Sequence, residues 1–169
     1  QLSKGTGLIL DRCLPHGRFA WRVRQHPNVH AAFAELFPGG DDLVTSFGAI
    51  FFAPDGAKSV KRSTLSAHTD QNGNDVREAM AKHTVYQGVL YLWPTSEDGS
   101  SSSTVIWPGS HRKVFPEMMK DETFVRNGAN GFHYSELSQM ADAGRAKRLA
   151  DGFEREARRV TVPAGALLL

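Results

Sequence analysis

The sequence predicts a mainly β chain with flanking helices, folded as a sandwich or barrel of the jelly-roll type. Two patterns carry that expectation. Short runs of β-branched and aromatic residues recur between Gly, Pro, Asn and Asp turn signals. The few helical stretches do not alternate regularly with those runs, so a parallel βαβ architecture fits badly.

Residues 1–28 are punctuated by Gly5, Gly7, Pro15, Gly17 and Pro27, with Leu8-Ile-Leu10 as a candidate short strand. Asn28 is a candidate cap for a helix running through Phe37, with Val29, Phe33, Leu36 and Phe37 on one face. Pro38-Gly-Gly40 stops it. Residues 43–53 read as a strand ended by Pro54-Asp-Gly56, and a second short strand covers 65–70. Gln71-Asn-Gly-Asn-Asp75 is turn chemistry, and 76–83 suits a helical turn or a loop.

The clearest alternation lies in 84–93. Val85, Gln87, Val89, Tyr91 and Trp93 share one face, with Tyr86, Leu90 and Leu92 on the other. A serine-rich turn follows at 97–103, and 104–107 resume extended character until Pro108-Gly-Ser-His111 breaks the strand. Residues 112–133 are mixed in pattern. Residues 134–152 read as a helix with Ser135 as candidate cap, Leu137, Met140, Ala141 and Leu149 as its apolar side, and Gly152 as its stop. Residues 158–162 and 166–169 read as strands joined by Pro163-Ala-Gly165.

With 169 residues, 40% hydrophobic and 22% charged, the chain has the proportions of a single soluble globular domain. No apolar run reaches the roughly 18 residues a membrane span needs. The one cysteine, Cys13, excludes an internal disulfide and a cysteine-based zinc site, and suits a reducing, intracellular, cytoplasmic setting. A net charge of +2 does not point to nucleic acid. The local basic clusters, Lys58-Ser-Val-Lys-Arg62 and Arg145-Ala-Lys-Arg148, read as solvated faces. Cys13 lacks the neighbours of a nucleophile, and Gly5-Thr-Gly7 lacks the strand and Lys of a phosphate loop. The chain opens without Met and stops inside an apolar run ending at Leu169, so it reads as a domain truncated at its C-terminal end.

The chemistry centres on Ser66-Ala-His-Thr-Asp70. On an extended segment, side chains two apart point the same way, so His68 and Asp70 project together with Thr69 turned aside. One imidazole and one carboxylate on a common face supply two members of a 2-His-1-carboxylate set, which binds Fe(II) and leaves adjacent positions open. The same spacing also suits a hydrogen-bonded His and Asp at a strand end. Gln87 is a polar residue on an otherwise apolar face, and a buried amide needs a partner. Tyr91, Trp93 and Trp107 read as core or cavity wall. His83 and His133 read as loop residues.

Four segments in order, Ala67-His-Thr-Asp-Gln-Asn72, Tyr86-Gln-Gly-Val-Leu-Tyr-Leu92, Val105-Ile-Trp-Pro-Gly-Ser-His-Arg112 and Val162-Pro-Ala-Gly-Ala-Leu-Leu-Leu169, resemble the landmarks of phytanoyl-CoA dioxygenase-like proteins. The similarity spans about residues 20–169. The resemblance implies a double-stranded β-helix with His68 and Asp70 as metal ligands. Gln87 would bond to the keto acid, and His111 would close its turn by hydrogen bonding. The implied cofactors are Fe(II) and the co-substrate 2-oxoglutarate, and the implied activity is hydroxylation of a small or medium-sized organic substrate with succinate and CO2 as co-products. In that family a second His ligand and an Arg for the keto acid follow the strand matching 166–169, so 1–169 is expected to be an incomplete single oxygenase domain, inactive alone. The alternatives are a cupin-like or hydrolytic metalloprotein using the same pair, and a jelly-roll binding module that has lost the chemistry.

Overall fold

The structure, a computed structural model, describes residues 8–9, 13–37, 43–45, 48–52, 68–75, 86–131 and 134–169. The chain divides into two compact units, Gln1–Thr64 and Leu65–Leu169. Expectations for the Gly5-Thr-Gly7 segment, the Pro38-Gly-Gly40 stop, the Lys58 to Arg62 cluster, residues 76–83, His83 and His133 lie outside the described residues.

In the first unit, β1 (Leu8–Ile9) pairs antiparallel with β2 (Ile50–Phe51). A 3-10 turn at Leu14–His16 leads into α1 (Arg18–Arg24), and α2 (Pro27–Ala34) follows. Proline opens both the 3-10 turn and α2, where its missing N–H costs nothing and its fixed φ suits the first helical turn. The cap of α2 is His26, whose Nδ1 accepts from the Asn28 N–H at 3.3 Å, two residues ahead of the cap expected at Asn28. Arg24 donates to the Pro15 carbonyl at 2.6 Å, tying the end of α1 to the 3-10 turn.

The second unit contains β3 (His68–Thr69), β4 (Val89–Leu90), β5 (Val105–Ile106), α3 (Ser110–Lys113), α4 (Phe115–Met118) and α5 (Glu122–Ala129). These are followed by β6 (Ser135–Glu136), a 3-10 turn (Leu137–Gln139), α6 (Ala143–Glu154), β7 (Arg158–Arg159) and β8 (Leu167–Leu168). Its strand pairs are β3–β6, β4–β8 and β5–β7, all antiparallel.

The mainly β, jelly-roll expectation is overturned. Helices make up 39% of the described residues, the sheets are short and two-stranded, and no jelly-roll barrel occurs among them. Strand pairing in the described part of 84–93 covers Val89 and Leu90, Tyr91 adds bonds to Ala166 and Gly165, and contact with the same segment resumes only at Thr95, whose N–H donates to the Val162 carbonyl beyond the N–H-less Pro94. Hydrophobic alternation therefore marked extended backbone without marking long strands. The mixed stretch 112–133 conceals the helices that build the core.

That core consists of Val114, Met118, Phe124, Leu137 and Met140, with Leu149 and Phe153 packed against it. The helix expected over 134–152 instead begins at Ala143, after Met140 turns extended (ψ 140), and runs past Gly152 to Glu154. Its cap is Asp142, which accepts from the Arg145 N–H at 2.8 Å. Ser135, expected as the cap, lies fully buried in β6 opposite Thr69.

Asp121 joins these helices. Its carboxylate caps α5 by accepting from Thr123 N–H at 3.0 Å, and it accepts from Ala141 N–H at 3.0 Å and Asp142 N–H at 3.4 Å. Burial pushes this carboxyl up, but the three backbone donors outweigh burial and hold it below the usual aspartate range. No helix among the described residues is long and apolar enough to cross a membrane.

Candidate metal centre

His68 occupies β3, where antiparallel pairing sets it opposite Glu136. Its ring stacks on Tyr134, with centroids 4.7 Å apart and planes 29° from parallel. Asp70 follows in the bend that leaves the strand. The two side chains converge: His68 Nε2 lies 3.2 Å from Asp70 Oδ1. The Asp70 carboxyl is held below its usual range, first by the hydrogen bond from His68, against the opposing effect of burial, with help from the His68 charge and the Gln87 side chain.

Gln87 thus sits beside Asp70, and its amide is exposed rather than buried in an apolar face. The structure brings together all three residues singled out from sequence. Tyr91 is placed elsewhere, its hydroxyl 2.6 Å from the Thr104 hydroxyl and accepting from the Thr104 N–H at 2.8 Å. Trp93 is 69% exposed, so it is neither core nor wall in the described unit.

The turn after Asp70 is fixed by residues whose importance the sequence did not reveal. Asn72, only 4% exposed, donates to the Phe124 carbonyl and accepts from the Asn74 N–H, each at 2.9 Å. Asn74 donates to the Met119 carbonyl at 2.7 Å. The backbone of α5 comes so close that a Cβ on Gly128 would stand 2.4 Å from the Asn74 carbonyl oxygen. Read as sequence, 71–75 gives only turn propensity; its docking partners lie some 50 residues away.

The donor pair suits a divalent cation. Two ligands at about 2.1 Å and right angles on one ion stand about 3 Å apart, close to the separation of these two atoms. The two side chains hydrogen-bond to each other, and a metal taking their place as partner would need His68 neutral and Asp70 ionised. Two ligands do not complete a site, and no cluster of three or more His, Cys, Asp or Glu able to hold a metal occurs among the described residues.

A cavity of about 120 Å³ adjoins His68, with Trp107, His111, Met118, Leu137 and Phe153 among its walls. Trp107 therefore proves to be a wall residue, stacked on Phe153 at 5.0 Å. The Pro108-Gly-Ser-His111 turn closes through its backbone, Ser110 N–H donating to the Trp107 carbonyl at 3.1 Å with Gly109 at φ +79, and His111 is among the residues that line the cavity. Comparison with protein-family models, curated proteins and solved structures finds no match.

Proposed function

We propose that this chain carries part of the site of an Fe(II)- and 2-oxoglutarate-dependent oxygenase acting on a small or medium-sized organic molecule. The observation that supports it most is the convergence of His68 Nε2 and Asp70 Oδ1, hydrogen-bonded at 3.2 Å, a separation that two neighbouring ligands on one cation would also have. The choice of iron and a keto acid over another metal rests on the ordered sequence landmarks around that pair.

In this reading His68 and Asp70 bind the metal, and a third ligand comes from outside the described residues. Bound with its keto acid, Fe(II) would supply O2 activation, coupling decarboxylation of 2-oxoglutarate to succinate with hydroxylation of the substrate. Strand pairing and the Tyr134 stack orient the His68 ring, while Gln87 offers an amide beside the carboxylate. A reducing, intracellular setting suits both the lone cysteine and ferrous iron.

Anaerobic titration of the full-length protein with Fe(II), then 2-oxoglutarate, tests the reading. A weak visible charge-transfer band is expected for the wild type and its loss for His68→Ala and Asp70→Ala. Metal binding that survives both substitutions, or no binding under any condition, overturns it.

A further inference from the structure

The turn that leaves Asp70 is fastened to the end of α4 through a sulfur atom. The Gly73 N–H donates to Met119 Sδ at 3.0 Å. The Asn74 side-chain amide, which donates to the Met119 carbonyl at 2.7 Å, lies 3.8 Å from the same sulfur. A thioether is a weak acceptor, and a single oxidation step turns it into a polar, strongly accepting group. Part of the hold on this turn therefore depends on the chemical state of one side chain.

Position separates this sulfur from those of the core. Met118 and Met140 are 3% and 6% exposed, whereas Met119 is half-buried and Gly73, which bonds to it, is exposed. Space on the protein side of the contact is short. A Cβ on Gly73 would stand 3.1 Å from Phe115 Cζ and 3.3 Å from Met119 Cγ. An oxygen on Sδ stands out from the sulfur, so the Gly73 N–H and the Asn74 amide can follow the new acceptor only by leaving their present positions.

From these observations we infer that Met119 is a site of oxidative modification, where conversion of the thioether to the sulfoxide by a peroxide loosens the turn behind Asp70. The sulfur lone pair attacks one oxygen of hydrogen peroxide, and an S–O bond forms as the O–O bond breaks. The departing oxygen takes the proton of the transferred one and leaves as water. Sulfur loses two electrons and the peroxide gains them. Thiol-dependent sulfoxide reductases, one for each sulfoxide epimer, remove the oxygen again.

The test uses the metal-free full chain with hydrogen peroxide as the probe. A Met80→Leu background leaves Met118, Met119 and Met140 as the remaining methionines. Peptide mass spectrometry should find an added oxygen at Met119 at least about 10-fold sooner than at Met118 or Met140, because oxidation follows exposure. The Asn74 and Asp75 N–H groups bond to the Asn72 side chain and carbonyl at 2.9 and 3.0 Å, so their exchange reports the turn. After oxidation and removal of peroxide, exchange at residues 73–75 should be about 10-fold faster, the equivalent of one hydrogen bond. Met119→Leu keeps the bulk without the sulfur, and its exchange should be the same before and after peroxide. Oxidation no faster at Met119 than at the core methionines overturns the inference, as does unchanged exchange at 73–75 or an equal response in Met119→Leu.

The consequence for the site rests on the oxygenase reading. Oxidised chain should bind Fe(II) about 10-fold more weakly, as when an outer-shell support is lost. Faster exchange with unchanged Fe(II) affinity would break that link. No Fe(II) binding before or after peroxide would remove the oxygenase and leave the modification standing. Fe(II) binding with exchange that ignores peroxide would do the reverse.

Discussion

Asn72 donates its side-chain amide to the Phe124 carbonyl at 2.9 Å, so the turn leaving the His68–Asp70 pair hangs from a fully buried core residue. Asn72 lies two positions after the proposed carboxylate ligand, and any slack in this bond is passed to Asp70. Asn72→Ala leaves the Phe124 carbonyl and the Asn74 N–H to find other partners. It is expected to cost about 1–3 kcal/mol in denaturant unfolding. It should also weaken divalent metal by roughly 10-fold or more, as loss of an outer-shell support does. Unchanged metal affinity would show that the turn is not what places Asp70.

Gly128 is the complementary part of the same joint. Its backbone approaches Asn74 too closely for any side chain, since a Cβ there would meet main-chain atoms of Asn74, which a rotamer change cannot move aside. Gly128→Ala should therefore push the turn off α5. We expect a loss of about 1–3 kcal/mol by thermal or denaturant melts, the range for overpacking a tight contact. Faster amide exchange at residues 73–75 should accompany it. A variant as stable as the wild type, with unchanged exchange there, would show that the contact is softer than described.

Asp121 makes stability depend on pH in a defined direction. Its folded-state carboxyl is held below the unfolded value by backbone donors, against burial, so the unfolded chain binds more protons in the acid range. The stabilisation is present above the ordinary aspartate value and is lost as pH falls through the lower, folded value. Asp121→Asn can keep one carbonyl oxygen for the Thr123 and Ala141 N–H groups but turns an amide donor toward the Asp142 N–H and removes the charge that all three donors favour. The variant should be clearly less stable near neutrality, and the gap should close in acid. A gap independent of pH would mean that the carboxylate's charge contributes nothing.

The candidate site was more legible in the sequence than the fold. His68 and Asp70 are two residues apart, and an extended backbone of even two strand residues suffices to send both side chains one way. Local geometry decided that placement. The proximity of Gln87 to Asp70 is not local: alternation marks Gln87 only as a polar residue on an apolar face, and the family resemblance implies a bond to the keto acid rather than to Asp70. Fold class is not legible because alternation in 84–93 does not specify a long ladder: among the described residues strand pairing covers Val89 and Leu90 with Leu168 and Leu167, extended by backbone bonds at Tyr91. The helical core failed for the opposite reason. Asp121 as cap and Val114, Met118 and Phe124 as core positions fall across three short helices broken by Pro116 and the 119–121 turn, which dilutes any 3.6-residue period.

Gln87 gives the most specific test of the keto-acid role. Its amide interacts with the Asp70 carboxylate, so its removal could act through the metal or through the co-substrate. These routes give different results. If Gln87 serves only to hold Asp70, Gln87→Ala weakens Fe(II) and leaves the 2-oxoglutarate requirement at saturating metal unchanged. If it bonds to the keto acid, the apparent 2-oxoglutarate requirement rises about 5–10-fold at saturating Fe(II), the equivalent of one hydrogen bond of about 1–1.4 kcal/mol. Succinate formation by the full-length protein, measured at several Fe(II) concentrations, separates the two. His68→Ala and Asp70→Ala serve as the zero-turnover references, both folded by circular dichroism. The oxygenase reading expects the second pattern for Gln87→Ala, and the first would confine Gln87 to positioning the carboxylate.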